Sequence, residues 1–156
     1  AVLAWQGISL YKLIAPGTIP IVTASPGLFS ANASGQGVPA ATLLRVRGDA
    51  QLYEPVARYD AQLQRFVPVP IDLGPESDQV FLILFGTAFR AAGTDGVRVM
   101  IGDEEAEVLY AGPTPGFVGL DQANVRMPRS LLGKGEVSVV LTADNRTANA
   151  VTLLIR

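Results

Sequence analysis

Short apolar runs alternate with polar positions along most of the chain, and turn residues interrupt them about every 8–12 residues. This period-two pattern predicts strands near residues 7–14, 19–23, 40–47, 51–59, 65–71, 79–87, 97–101, 106–111, 121–127, 136–143 and 148–155. The clearest alternation is Glu136-Val137-Ser138-Val139-Val140-Leu141-Thr142, followed by Ala150-Val151-Thr152-Leu153-Leu154-Ile155. Asp144-Asn145-Arg146 between them reads as a hairpin turn. A second hairpin is expected at Gly102-Asp103-Glu104-Glu105, joining 97–101 to a strand that contains Val108-Leu109-Tyr110. Only Pro128-Arg129-Ser130-Leu131-Leu132-Gly133 reads as helical, one turn closed by glycine. Many short strands with regular turns predict an all-β fold, a sandwich of two antiparallel sheets.

Two segments depart from simple alternation. Residues 80–85, Val-Phe-Leu-Ile-Leu-Phe, are apolar on both faces, so a loop, the N-terminal segment or a neighbouring molecule is expected to cover the outer one. The second is the N-terminal run Ile8-Ser9-Leu10-Tyr11-Lys12-Leu13-Ile14, preceded by Ala1-Val2-Leu3-Ala4-Trp5. Pro16, Gly17, Pro20 and Pro26-Gly27 separate it from the rest. We read residues 1–24 as an apolar extension and 25–156 as the β-sandwich domain.

Composition narrows the chemistry. With no cysteine there is no disulfide, thiolate nucleophile or thiolate metal site, and with no histidine the usual general base and commonest metal ligand are absent. The expectation is a non-enzyme without metal or cofactor. A net charge of −2 makes no electrostatic case for nucleic acid. No apolar run is long enough to span a membrane as a helix. Sixteen glycines and eleven prolines exceed the usual share, and 49% hydrophobic residues exclude disorder. Among the first 44 residues only Lys12 is charged. The start at Ala-Val, without a basic leader, is what a processed chain would show.

From about Ser25 onward the chain resembles a family of secreted bacterial proteins, abundant in acidobacteria, known by its Solibacter-type C-terminal domain. The resemblance rests on Ser25-Pro26-Gly27-Leu28-Phe29-Ser30-Ala31-Asn32, Tyr53-Glu54-Pro55-Val56-Ala57 and Val67-Pro68-Val69-Pro70-Ile71-Asp72-Leu73-Gly74. It extends through Gln79-Val80-Phe81-Leu82-Ile83-Leu84-Phe85-Gly86-Thr87, Val108-Leu109-Tyr110-Ala111-Gly112 and Phe117-Val118-Gly119-Leu120-Asp121-Gln122-Ala123-Asn124-Val125. Gly135-Glu136-Val137 and Thr147-Ala148-Asn149-Ala150-Val151-Thr152 complete it. It implies an extracellular, immunoglobulin-like β module and supplies no catalytic residue. The family's domains commonly follow another such unit; here about two dozen apolar residues stand in that place.

Several constellations invite a chemical reading. Asp103, Glu104, Glu105 and Glu107 offer carboxylates for a hard cation, but they lack the spacing of a calcium loop and read better as a solvated turn. Asp72, Glu76 and Asp78 resemble a carboxylate pair for hydrolysis, yet no nucleophile, base or oxyanion device accompanies them. Phe117, inside Gly112-Pro113-Thr114-Pro115-Gly116-Phe117, is expected to staple its loop to the core. Gly133-Lys134-Gly135 is too short for a phosphate loop, and the Asn32 and Asn145 glycosylation patterns are discounted as chance.

The N-terminal extension carries the sharpest reading. In an extended strand Ile8, Leu10 and Ile14 share a face with Lys12, while Ser9, Tyr11 and Leu13 share the other. Trp5, Ile8, Leu10, Tyr11, Leu13 and Ile14 are the candidate partner-binding residues. They suit a donor strand that adds to a sheet edge of the next subunit, making copies of the chain the expected partner. The plainer alternative is a first strand inside its own sandwich. The functional expectation is a secreted filament or surface-array subunit; the alternative is a monomeric surface-binding module, with polysaccharide as ligand.

Overall fold

The computed structural model describes residues 2–5, 9–12 and 21–156. Fifteen strands occur there: β1 Val2–Trp5, β2 Ser9–Lys12, β3 Gly27–Leu28, β4 Ala41–Arg47, β5 Ala50–Pro55, β6 Ala57–Asp60, β7 Arg65–Pro68, β8 Gln79–Thr87, β9 Val97–Ile101, β10 Glu104–Ala106, β11 Val108–Pro113, β12 Asp121–Arg126, β13 Gly135–Ala143, β14 Arg146–Thr147 and β15 Val151–Ile155. Two single 3-10 turns, Arg90–Ala92 and Arg129–Leu131, are the helical elements among the described residues. The second lies where one turn of helix was expected.

The doubly apolar segment becomes the centre of a six-stranded antiparallel sheet ordered β11-β12-β8-β4-β5, with β3 also on β8. Its even positions Val80, Leu82 and Leu84 face inward with Leu43 of β4 and Ala123 and Val125 of β12. The opposing sheet is ordered β10-β9-β13, with β14 and β15 both on β13. It contributes Val99, Ile101, Val139, Leu141, Val151 and Leu153, each no more than 1% exposed. These side chains form one hydrophobic core between the two sheets, so the fold is the all-β sandwich that alternation predicts.

The outer face of β8 is flanked by its own sheet. Phe81 lies under the Arg126 guanidinium at 5.2 Å, Ile83 stands between Thr42 and Asn124, and Phe85 lies opposite Gln122. Ile83 is only 8% exposed as a result.

Other expectations are corrected. The strand expected at 51–59 is two, because the chain turns at Val56, which is 1% exposed, and β6 pairs with β7 as a separate ribbon. The strand expected at 106–111 is also two: β10 pairs with β9, and after Glu107 the chain crosses to the other sheet as β11. Ile21 and Val22, expected in a strand, are not in one. Asp144 and Asn145 both have positive φ, the conformation of a tight two-residue hairpin loop, so β13 turns directly into β14. Between β14 and β15 the register on β13 slips by one residue. The slip releases Asn149 from the ladder.

β3 and β4 are two halves of one strand. Phe29 donates its N–H to the Phe85 carbonyl (3.0 Å), and Phe85 donates its own to Ala40 (3.4 Å). Residues 30–39 leave and return between those bonds, closed by the Ser30–Pro39 bridge. This loop straps the opposite sheet. Thr152 of β15 donates to the Gly37 carbonyl at 2.8 Å, and Asn149 donates to the Gly35 carbonyl at 2.7 Å.

Candidate functional site

The acidic residues come first, since Asp72, Glu76 and Asp78 are the candidate hydrolytic carboxylates. Arg45 on β4 points inward and is 6% exposed. A buried guanidinium needs partners for its donors, and it donates to both carboxylate oxygens of Glu54, to Asp78 and to the Asp72 carbonyl. These contacts, led by the hydrogen bond to Glu54, raise its pKa further. Arg47 grips Asp78 with two bonds, at 2.9 and 2.7 Å. The Asp78 side chain has no solvent exposure, and chiefly through Arg47 its pKa falls to about 2. Asp72 accepts the Gly74 N–H and an Arg156 bond, which lower its pKa in that order. Both aspartates are therefore held as ionised acceptors, Asp78 against Arg45 and Arg47 of β4 and Asp72 against the Gly74 N–H and Arg156. They do not face each other as an acid and a base.

The hollow beside them is lined by Leu73, Glu76, Gln79, Arg126, Met127 and Arg129. Its cations are engaged: Arg129 donates to the carbonyls of Leu73, Gly74 and Pro75, and Arg126 to Glu107 and Gln79. At the β9–β10 turn Glu105 pairs with Arg98. No group of three or more metal-capable side chains is found among the described residues.

Two polar residues that sequence reasoning missed are structural clamps. Asp121, fully buried in β12, accepts the backbone N–H groups of Phe89 and Arg90 and the Arg90 Nε. It fixes the bend after β8, where Ala88 has a positive φ. Asn149 accepts the Leu28 N–H through Oδ1 and donates through Nδ2 to the carbonyls of Leu28 and Gly35. An acid at an inward strand position is the one signal that could have marked Asp121; nothing local marks Asn149.

Interaction surfaces remain. In the N-terminal segment β1 pairs antiparallel with β2, with Val2 opposite Lys12 and Trp5 opposite Ser9. The single strand expected at 7–14 is thus already paired on one side by residues expected only to precede it. Trp5 lies in β1, and Leu10 and Tyr11 in β2; Ile8, Leu13 and Ile14 lie outside the described residues. Among the described residues the ribbon is a two-stranded sheet of its own, not paired with a strand of either main sheet.

Phe117 corrects a further expectation. It does not staple its loop; it is 64% exposed, and Val118 beside it is fully exposed. Gly116 and Gly119, at φ +81° and +83°, turn the pair outward. On β5, Leu52 and Tyr53 are 50% and 68% exposed. On the β6–β7 ribbon, Tyr59 and Phe66 stack edge to face at 5.5 Å.

No family model, no curated protein and no solved structure matches the chain.

Proposed function

We propose that the chain is a structural subunit of an extracellular bacterial filament or surface array, joined head to tail through its N-terminal ribbon. The observation that carries this reading is the β1–β2 pair, a sheet of two short strands that, among the described residues, has no third strand. An isolated two-stranded ribbon is marginal in water and gains stability from a third strand or an apolar face. Its sequence is Val-Leu-Ala-Trp and Ser-Leu-Tyr-Lys, with one charge. A contact between unlike surfaces that does not close on itself generates an open polymer. The Solibacter-type resemblance supports the extracellular placement and an immunoglobulin-like kinship. The engagement of Asp72, Asp78 and Asp121 by arginines and backbone N–H groups supports a structural role over hydrolysis.

The test is the assembly state of the chain with and without residues 1–14, by sizing and electron microscopy. Filaments from the full chain and a folded monomer from the shortened one are expected. A full chain that stays monomeric, and unfolds on truncation, would make the ribbon an internal element and end this reading.

A second reading, a surface module that binds polysaccharide, draws support from the exposed Tyr59–Phe66 pair. It expects oligosaccharide binding that Tyr59→Ala abolishes in a monomeric protein.

A further inference from the structure

If subunits join through the ribbon, some edge must receive it, and most edges of this fold are closed. On β11 a bulge follows Val108, and Thr94 Oγ1 already accepts the Ala111 N–H at 3.0 Å. β15 is covered at both ends: Ile71 donates to Leu154 and accepts from Arg156, while Gly37 accepts from Thr152. β10 has three residues and lies within the acidic run Asp103 to Glu107, a charged and short edge that resists pairing. The outer side of β7 is bridged by Asn32, which exchanges two hydrogen bonds with Phe66, and β6 is four residues bearing Arg58 and Asp60.

β5 is different. It has six residues, stands at the end of its sheet, and its backbone has no hydrogen-bond partner beyond β4 among the described residues. Gly48-Asp49 forms a two-residue loop with Arg47 opposite Ala50, and Gly48 has φ +56°. Antiparallel pairs alternate between bonded and non-bonded outward from that loop. Gln51 and Tyr53 therefore turn their N–H and C=O groups away from β4. Gln51-Leu52-Tyr53 carries no charge and no proline, and Pro55, which lacks an N–H, marks where the open edge ends.

We infer that the outward edge of β5, centred on Gln51 to Tyr53, is the acceptor for β2 of a second copy of this chain. This rests on the self-association reading above and names its other half. Added there, β2 would extend the six-stranded sheet and cover Leu52 on one face and Tyr53 on the other. The occupant is a neighbour's ribbon: among the described residues β2 pairs with β1 and with no strand of its own chain's sandwich, which leaves its other edge for a second copy. The twelve residues 13–24 can extend about 40 Å between ribbon and body, enough to reach an adjacent subunit.

The absence of cysteine allows a clean experiment. Full-length Tyr11→Cys and Tyr53→Cys chains are mixed and treated with a short bismaleimide, and the assembly concentration of Gln51→Pro is measured against the parent. A covalent heterodimer is expected, with assembly of folded Gln51→Pro shifted at least tenfold to higher concentration. The proline removes an outward N–H while sparing the bonds to β4; if it unfolds the domain, Tyr53→Lys takes its place. Unchanged assembly of the folded variant overturns β5 as acceptor and leaves ribbon-driven association standing. A link that forms only within a doubly substituted monomer overturns the second copy as occupant. A parent chain that never assembles and gives no heterodimer overturns both readings.

Discussion

Replacing Asn149 by aspartate should turn a stabilising clamp into a pH-dependent fault. The Asn149 amide serves both sides of the Leu28 peptide and the Gly35 carbonyl, with distances of 2.9, 2.9 and 2.7 Å. Each hydrogen bond of this kind contributes about 0.5–1.5 kcal/mol net. Because the site is half open to water, Asn149→Ala should lose about 1–3 kcal/mol in total. In a 156-residue chain that lowers the melting midpoint by about 2–4 °C per kcal/mol. Asn149→Asp keeps the acceptor for the Leu28 N–H but sets a carboxylate oxygen against two carbonyl oxygens. It should cost more than alanine at pH 7. Those carbonyls favour the protonated acid, so the folded-state pKa of the new group rises above its unfolded value of about 3.9. A raised acid stabilises the fold most below the unfolded pKa, and that contribution is lost as pH climbs through the folded one. Urea unfolding of parent, alanine and aspartate forms between pH 3 and 7 is the assay. The aspartate deficit relative to parent should grow with pH while the alanine deficit stays flat. An aspartate variant within about 0.5 kcal/mol of the parent at pH 7, or a deficit that ignores pH, would refute the clamp.

Two further outcomes are expected. Asp78, depressed to about 2, contributes stability that is complete above its ordinary value of 3.8 and is lost as pH falls through about 2. Acid titration of the parent should show this loss, and Asp78→Asn, already weaker at neutral pH, should flatten that part of the profile. Gly86→Ala places a methyl group against the Gly27 carbonyl and 2.9 Å from the Phe89 ring. Backbone must move to admit it, so denaturant titration should show a loss of about 1–3 kcal/mol.

The strands legible from sequence were those marked by one core. β9 has the bounds that its alternation predicts, with Val97, Val99 and Ile101 facing that core, and β8 has the bounds that its continuous apolar run predicts, with Val80, Leu82 and Leu84 facing it. Chain crossings were not legible. Val56 and Glu107 interrupt no pattern, yet the chain changes pairing partner at each, since partner choice depends on residues far away. The clamps are hidden for the same reason: Asn149 and Leu28 are 121 positions apart. For the N-terminal segment, sequence showed an apolar strand set off by prolines and glycine. It did not show that Ser9–Lys12 is already paired with Val2–Trp5, because Val2-Leu3-Ala4-Trp5 has no polar alternation to mark it. The openness of β5 was equally invisible, being defined by what the other edges have acquired.

The loop at residues 30–39 bears on how many neighbours a subunit can hold. It leaves and rejoins one strand across a single residue of β8, so its length is independent of the sheet's register. What its length does control is whether Gly37 and Gly35 reach β15 and Asn149. Shortened, it would leave the central strand fully partnered and the far sheet with an uncovered margin. A subunit with one acceptor extends a line; a subunit with two can branch. In the head-to-tail assembly proposed above, trimming the loop would bare the Thr152 end of β15 while Ile71 still covers Leu154 and Arg156, and a second partial edge of that kind would favour networks over fibres.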